Sequence, residues 1–183
     1  MVHIVTLFWT LEVLFGVIGA LRGWAKELLV TFSMLVALMI LKLLEIYAPW
    51  ILQTSLRAEF LIRAFVLLFM AFFGYQTPAG VGAVNGGGRR DWLQNRLLGF
   101  VLGLLNGYLI VGSLWFYLHE VNYLMQPPYE EFMRHIVIPP DETTVQGAAA
   151  LRMVQNMPPR YLGEPWLYIA VTAAFVFVLV VFI

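Results

Sequence analysis

The side chain with the clearest chemical potential in this sequence is Glu12, a carboxyl near the middle of an apolar run from Val2 to Leu21. Inside a membrane such a charge is costly unless it is paired or protonated, so an acidic residue there is a functional-site candidate by default. Three readings stay open. Glu12 is the ion-handling group of a small transporter, or a protonated carboxyl hydrogen-bonded to a neighbouring helix, or a residue of a slightly shifted span. Between Ile4 and Leu21 the only other clearly polar side chains are Thr6 and Thr10.

A second constellation is the turn Gly19-Ala20-Leu21-Arg22-Gly23-Trp24-Ala25-Lys26-Glu27. Gly19 and Gly23 share a helix face and permit close backbone approach. Gly23 can supply the positive φ that reverses the chain. Arg22 and Glu27 flank the turn and can pair across it, either as the anchor of a helical hairpin or as a contact for a ligand or partner. A third constellation is Gly99, Gly103 and Gly107 with Asn106 beside them. Small residues every four positions form a groove for another helix, and an asparagine can hydrogen-bond across it. The groove serves packing inside the bundle, against the first or second helix, or it serves a second copy or a foreign helix.

The three histidines, His3, His119 and His135, show no paired spacing, so no metal site is expected. His119, at the end of the fourth apolar run, is the one weak candidate for an axial cofactor ligand; an interfacial histidine is the simpler reading. The sequence has no P-loop, nucleophile elbow or HExxH motif, and Gly80-Val81-Gly82 and Gly86-Gly87-Gly88 lack the strand-to-helix context of a dinucleotide site. No enzymatic activity and no cofactor are expected.

These residues need elements to position them, and the composition says which. The chain has 183 residues, 61% hydrophobic and 12% charged, with mean hydropathy +0.82. Soluble domains are about half apolar and about a quarter charged. The formal net charge is zero, without the clustered basic excess of a nucleic-acid binder. Cysteine is absent, which excludes disulfides, thiol catalysis and thiolate metal sites. The expected fold class is an all-α membrane protein, a polytopic bundle of about five transmembrane helices.

Crossing about 30 Å of hydrocarbon takes roughly 20 apolar helical residues. Five segments approach that: Val2 to Leu21, Glu27 to Tyr47, Glu59 to Tyr75, Leu97 to Leu118, and Pro165 to Ile183 with proline at the first helical position. The first has no basic leader and exceeds a signal-peptide core, so a retained helix is expected. The loop from Gln76 to Asn95 is expected to be flexible and exposed. Residues 119–164 form the largest hydrophilic region, broken by Pro127-Pro128, Pro139-Pro140 and Pro158-Pro159. Two short interfacial helices fit there: Tyr129 to Ile138, and Thr143 to Met157 with Val145, Ala149, Met153 and Val154 at helical spacing and Asp141 or Thr143 as cap.

Orientation follows the cations. Arg22, Lys26, Arg89, Arg90 and Arg96 fall in two loops on one side. Lys42, Arg57 and Arg63, with the dispersed Arg134, Arg152 and Arg160, fall on the other, beside Glu120, Glu130, Glu131, Asp141, Glu142 and Glu164. The N-terminus is expected outside, the long loop extracytoplasmic and the C-terminus cytoplasmic. Trp50, Trp92, Trp115, Tyr117 and Trp166 sit near expected helix ends, as an aromatic belt would place them.

The same residues, in order, resemble the colicin V production protein family over about residues 1–118. Arg22-Gly23 followed by Lys26-Glu27 is similar to the family's Arg-Gly-x-x-x-Glu turn, and Asn95-Arg96-Leu97-Leu98-Gly99 resembles its Asp-Arg-x-x-Gly start of a glycine-rich fourth helix. The family usually has an acidic residue near the start of helix one, where this chain has Val5 and Thr6. The proline-punctuated loop and the helix at 165–183 are additions to a four-helix plan. The resemblance implies a bacterial inner-membrane protein linked to bacteriocin production, export or envelope maintenance, with no reaction of its own. Partners are the lipid bilayer and other membrane proteins or a second copy, met through the glycine faces and the C-terminal helix; nucleic acid is not expected. The alternatives are an accessory subunit of a larger electron-transfer or photosynthetic complex, and a small transporter using Glu12.

Overall fold

Long apolar stretches that must satisfy their own backbone polar groups become helices, and helix accounts for most of the described residues. The computed structural model describes residues 2–52, 55–76, 89–125, 137–141 and 143–182. Helix α1 is Ile4–Arg22, α2 is Trp24–Tyr47, α3 is the single turn Pro49–Leu52 and α4 is Leu56–Tyr75. Helix α5, Arg89–Gly107, passes through a π-helical segment, Tyr108–Gly112, into α6, Ser113–Glu120. Helices α7 (Val145–Val154), α8 (Pro158–Tyr161) and α9 (Trp166–Phe182) follow. Among the described residues, three stretches are long and apolar enough to cross a membrane: Ile4–Arg22, Trp24–Tyr47 and the continuous Asp91–Glu120. Helix α4 has 20 residues, with Arg57, Glu59 and Arg63 in its first half, and α9 is apolar but 17 residues long.

A single residue, Gly23 at φ 87°, separates α1 from α2. That conformation is open to glycine and strained for any side chain. Helices α1 and α5 run antiparallel, since Gly19 meets Gly99 while Glu12 meets Gly107. Helix α2 lies at the centre and supplies Val30, Met34, Ala37, Leu38 and Leu41 to the main core. Leu67 and Ala71 of α4, Leu109 and Ile110 of the π segment, Tyr117 of α6 and Leu167 of α9 complete it. The spacing within α2 is that of one helical stripe. A second cluster, Ile4, Phe8, Trp115, Tyr123, Ala150, Val154 and Met157, fastens the region after α6 onto the start of α1.

Several expectations change. The fourth apolar helix starts at Arg89, so part of the expected exposed loop is helical; residues 77–88, with both glycine runs, lie outside the described residues. Trp115 and Tyr117 are core residues, 3% and 5% exposed, whereas Trp50, Trp92 and Trp166 are exposed as belt residues would be. The helix expected over Tyr129 to Ile138 lies mostly outside the described residues, as do Pro127, Pro128, Glu130, Glu131, Arg134, His135 and Glu142. Its last two residues, Val137–Ile138, are extended and pair in parallel with Val2–His3. Pro165 precedes the last helix, which begins at Trp166.

Helix α7 is capped by neither expected residue. Thr144 is its N-cap, its hydroxyl accepting from the Gly147 amide at 3.0 Å. Asp141 instead accepts from the backbone and hydroxyl of Thr143, at 2.9 and 2.7 Å, in a turn just upstream. Those bonds hold its carboxyl below the usual carboxylate range. Their contribution is therefore present at neutral pH and fades as pH falls through that lowered value. The buried side of α7 is Gly147, Ala150 and Val154, and Val145 is 89% exposed. Thr144→Ala is expected to cost about 1 kcal/mol, read as faster amide exchange at Gly147 and Ala148 with the rest of the bundle unchanged.

Candidate functional site: a buried ion pair under a glycine seam

The turn places a full charge where water does not reach. Glu27 stands in the first turn of α2, and its side chain is 0% exposed. Arg22, the last residue of α1, meets it: Nη1 lies 2.5 Å from Glu27 Oε1. Asn106 of α5, also 0% exposed, donates from Nδ2 to Glu27 Oε2 at 2.8 Å and to the Glu27 carbonyl at 2.9 Å. Thr31, one turn on from Glu27, donates to Asn106 Oδ1 at 2.7 Å. Arg22 Nη2 donates to the Tyr75 carbonyl at 3.1 Å, and its guanidinium lies 4.3 Å from the Tyr75 ring centroid. The network thus ties α1, α2, α4 and α5 together at one end of the bundle. Each carboxylate oxygen has a donor, which a buried carboxylate requires.

The glycines make this convergence possible. A Cβ on Gly19 would lie 2.2 Å from the Gly99 carbonyl oxygen, and one on Gly103 would lie 2.4 Å from the Phe15 carbonyl oxygen. Gly107 faces the Glu12 Cα, and Gly23 faces the Asn95 side chain, whose Oδ1 accepts from the Trp24 amide at 3.3 Å. The groove of α5 is therefore filled by α1 of the same chain. Contact this close needs glycine on both helices, because the obstructing atoms are backbone.

The other candidates separate. Arg96 stays outside the network; it is exposed, with its guanidinium 4.2 Å from the Trp92 ring centroid. His119 stacks edge-on to Tyr123 at 5.6 Å, and its Nδ1 is buried without a hydrogen-bonding partner. Glu12 lies in the α1–α5 seam, and its Oε2 is buried and unpartnered. Among the described residues, no three potential metal ligands converge.

A second charged network was not anticipated. At the opposite end, Arg63 of α4 bonds to Glu59 and Glu120 at 2.7 Å each and to Glu45 at 3.3 Å, with its guanidinium over the Tyr117 ring, 4.6 Å from the centroid. Lys42 pairs with Glu45 at 3.3 Å. A cavity of about 150 Å³ adjoins it, lined in part by Lys42, Glu45, Glu120 and Pro159. The Glu59–Arg63 spacing was legible as a helical i,i+4 pair; the arrival of Glu45 and Glu120 from other helices was not. Thr31 and Tyr75 were missed for the same reason, and Asn95 stood out only as part of the motif that starts the fourth helix.

Neither network presents a nucleophile poised beside a base, and each pairs its charges with one another. No protein-family model, curated protein or solved structure matches the chain.

Proposed function

We propose that this chain is a bacterial inner-membrane protein of about five spans, of the colicin V production type, that supports bacteriocin production or export or envelope maintenance without catalysing a reaction. The observation that supports this most is convergence. Arg22, Glu27 and Asn106, three of the residues behind the resemblance, meet in one buried network although Glu27 and Asn106 are 79 positions apart, and Gly99 and Gly103 form the seam beside it, while Arg96 stays outside. Helix α4, at 20 residues, reaches about 30 Å, enough to cross hydrocarbon. Helix α9 runs antiparallel to α2, with Phe175 against Phe32 and Leu167 in the core with Leu38. Lys42, Arg57 and Arg63 weigh against the orientation, and Lys42 and Arg63 are paired with acidic side chains. The N-terminus is outside and the C-terminus cytoplasmic.

Reporter fusions after residues 88 and 140 are expected to signal from the cytoplasm and from outside, respectively; an outward signal at 88 overturns the orientation. For the role itself, a deletion strain is expected to become sensitive to envelope-acting detergents or defective in bacteriocin release, and wild-type chain is expected to rescue it where Arg22→Ala is not. A deletion strain that behaves as wild type in both assays sinks the proposal.

One observation favours a second reading, an accessory subunit of a larger membrane complex. Helix α9 packs chiefly on α2 and leaves Ile169, Phe175, Val176 and Val180 exposed. Purification from the native membrane in mild detergent separates the two: stoichiometric partners support the subunit reading, and a homogeneous single chain removes it.

A further inference from the structure

Helix α1 holds Glu12 eight residues from its start and ten from its end, so about 12 Å of helix separates it from the nearer terminus. On the membrane reading above, that is the middle of the hydrocarbon layer. Glu12 sits where Gly107 of α5 brings the two backbones together; a Cβ there would lie 3.3 Å from Glu12 Cα. Immediately beyond, α5 changes into the π segment Tyr108–Gly112. Single π turns inside long helices are frequent at functional sites.

The nearby donors are committed elsewhere. The Tyr108 hydroxyl donates to the Asn156 carbonyl, and the Thr10 hydroxyl donates to the Thr6 carbonyl at 2.8 Å. Tyr161 is the other titratable group, besides Glu12, that acts electrostatically on Tyr108. From α2, Glu27 is held by Arg22 and Asn106. Glu12 Oε2 is left buried with no hydrogen-bonding partner. An ionised carboxylate in that setting meets the full cost of an unsatisfied charge in hydrocarbon, whereas the neutral acid does not. A metal cation is a poor alternative, because hard cations need about six oxygen ligands, and no three potential ligand side chains gather here among the described residues.

We propose that Glu12 is a proton-binding site inside the membrane, a carboxyl that exchanges a single proton beside the π segment of α5. The exchange is simple: carboxylate plus proton gives carboxylic acid, with no other group changed. The proposal rests on the membrane reading, and its test separates the two.

Full-length protein in lipid vesicles is treated with dicyclohexylcarbodiimide, which partitions into hydrocarbon, and in parallel with a water-soluble carbodiimide. Adducts are located by peptide mass spectrometry. A carboxylic acid protonates the diimide nitrogen and adds its oxygen to the central carbon, and the product rearranges to a stable N-acylurea without a leaving group. Glu12 is expected to react with the hydrophobic reagent at neutral pH and not with the water-soluble one. The rate is expected to fall about tenfold per pH unit once the carboxyl titrates. Glu12→Asp keeps the reaction and Glu12→Gln abolishes it; should Glu12→Gln fail to fold, the wild-type pH profile decides alone. Silence of Glu12 toward both reagents overturns the proton site and leaves the membrane reading standing. Reaction with the water-soluble reagent overturns both. Protection by sodium ions at constant pH overturns the proton as ligand in favour of a metal cation.

Discussion

Gly19→Leu is expected to be the most damaging single change in the α1–α5 seam, lowering stability by at least about 3 kcal/mol, the upper end of the usual cost of overpacking. A Cβ at this position would lie 2.2 Å from the Gly99 carbonyl oxygen, 2.7 Å from the Gly103 Cα and 3.0 Å from the Gly103 amide nitrogen. All three are backbone atoms, so no rotamer change relieves the clash. The helices must part, and the contacts that hold Asn106 against Glu27 part with them. Gly16→Ala is milder, because the nearest atoms its Cβ would meet are side-chain carbons of Leu104 and Phe100, at 2.9 Å, which can shift. Gly163→Ala is the control, with its nearest neighbour at 3.9 Å. Thermal unfolding in mild detergent checks the order. A Gly19→Leu protein that melts with wild type removes the seam from the account of this fold.

The second large effect is asymmetric. Arg22→Ala is expected to cost about 3–5 kcal/mol, the penalty for stranding one partner of a buried pair. The Glu27 side chain is 0% exposed and that of Arg22 20%, so removal of the arginine leaves a carboxylate that cannot reach water. Glu27→Ala is expected to cost less, since the guanidinium retains the Tyr75 carbonyl and ring and partial exposure. Replacing both, as Arg22→Met with Glu27→Leu, is expected to recover much of the loss, because no unpaired charge remains. A double-mutant cycle followed by unfolding in detergent measures the coupling. Equal costs for the two alanine variants, or a double variant no better than Arg22→Ala, would show that the pair is not held in a dry site.

Both predictions rest on residues that were conspicuous in the sequence, and their geometry was not. Gly19, Gly23, Gly99 and Gly103 stood out by spacing alone, since four-residue periodicity puts small residues on one helix face whatever the tertiary fold. Arg22 and Glu27 stood out because charges are scarce in so apolar a chain. Trp115 and Tyr117 show the opposite case: nearness to a helix end placed them in a belt, while packing against Phe8 and beneath Arg63 buried them.

The sequence by itself determined the elements. Apolar runs with few charges can satisfy their backbone only as helices, and proline and glycine fix where those helices stop. It also marked the reversal at Gly23 by glycine's access to positive φ, though as a longer turn ending at Lys26; that α2 begins at Trp24, one residue after α1, came from the tertiary structure. The tertiary structure alone decided the partners. The groove on α5 is filled by α1, Asn106 reaches Glu27 rather than a foreign helix, and Arg63 gathers Glu45, Glu59 and Glu120 from three helices. Periodicity reports which face of a helix is special. Which other face meets it is settled by helix crossing and close packing, and those depend on residues far apart along the chain.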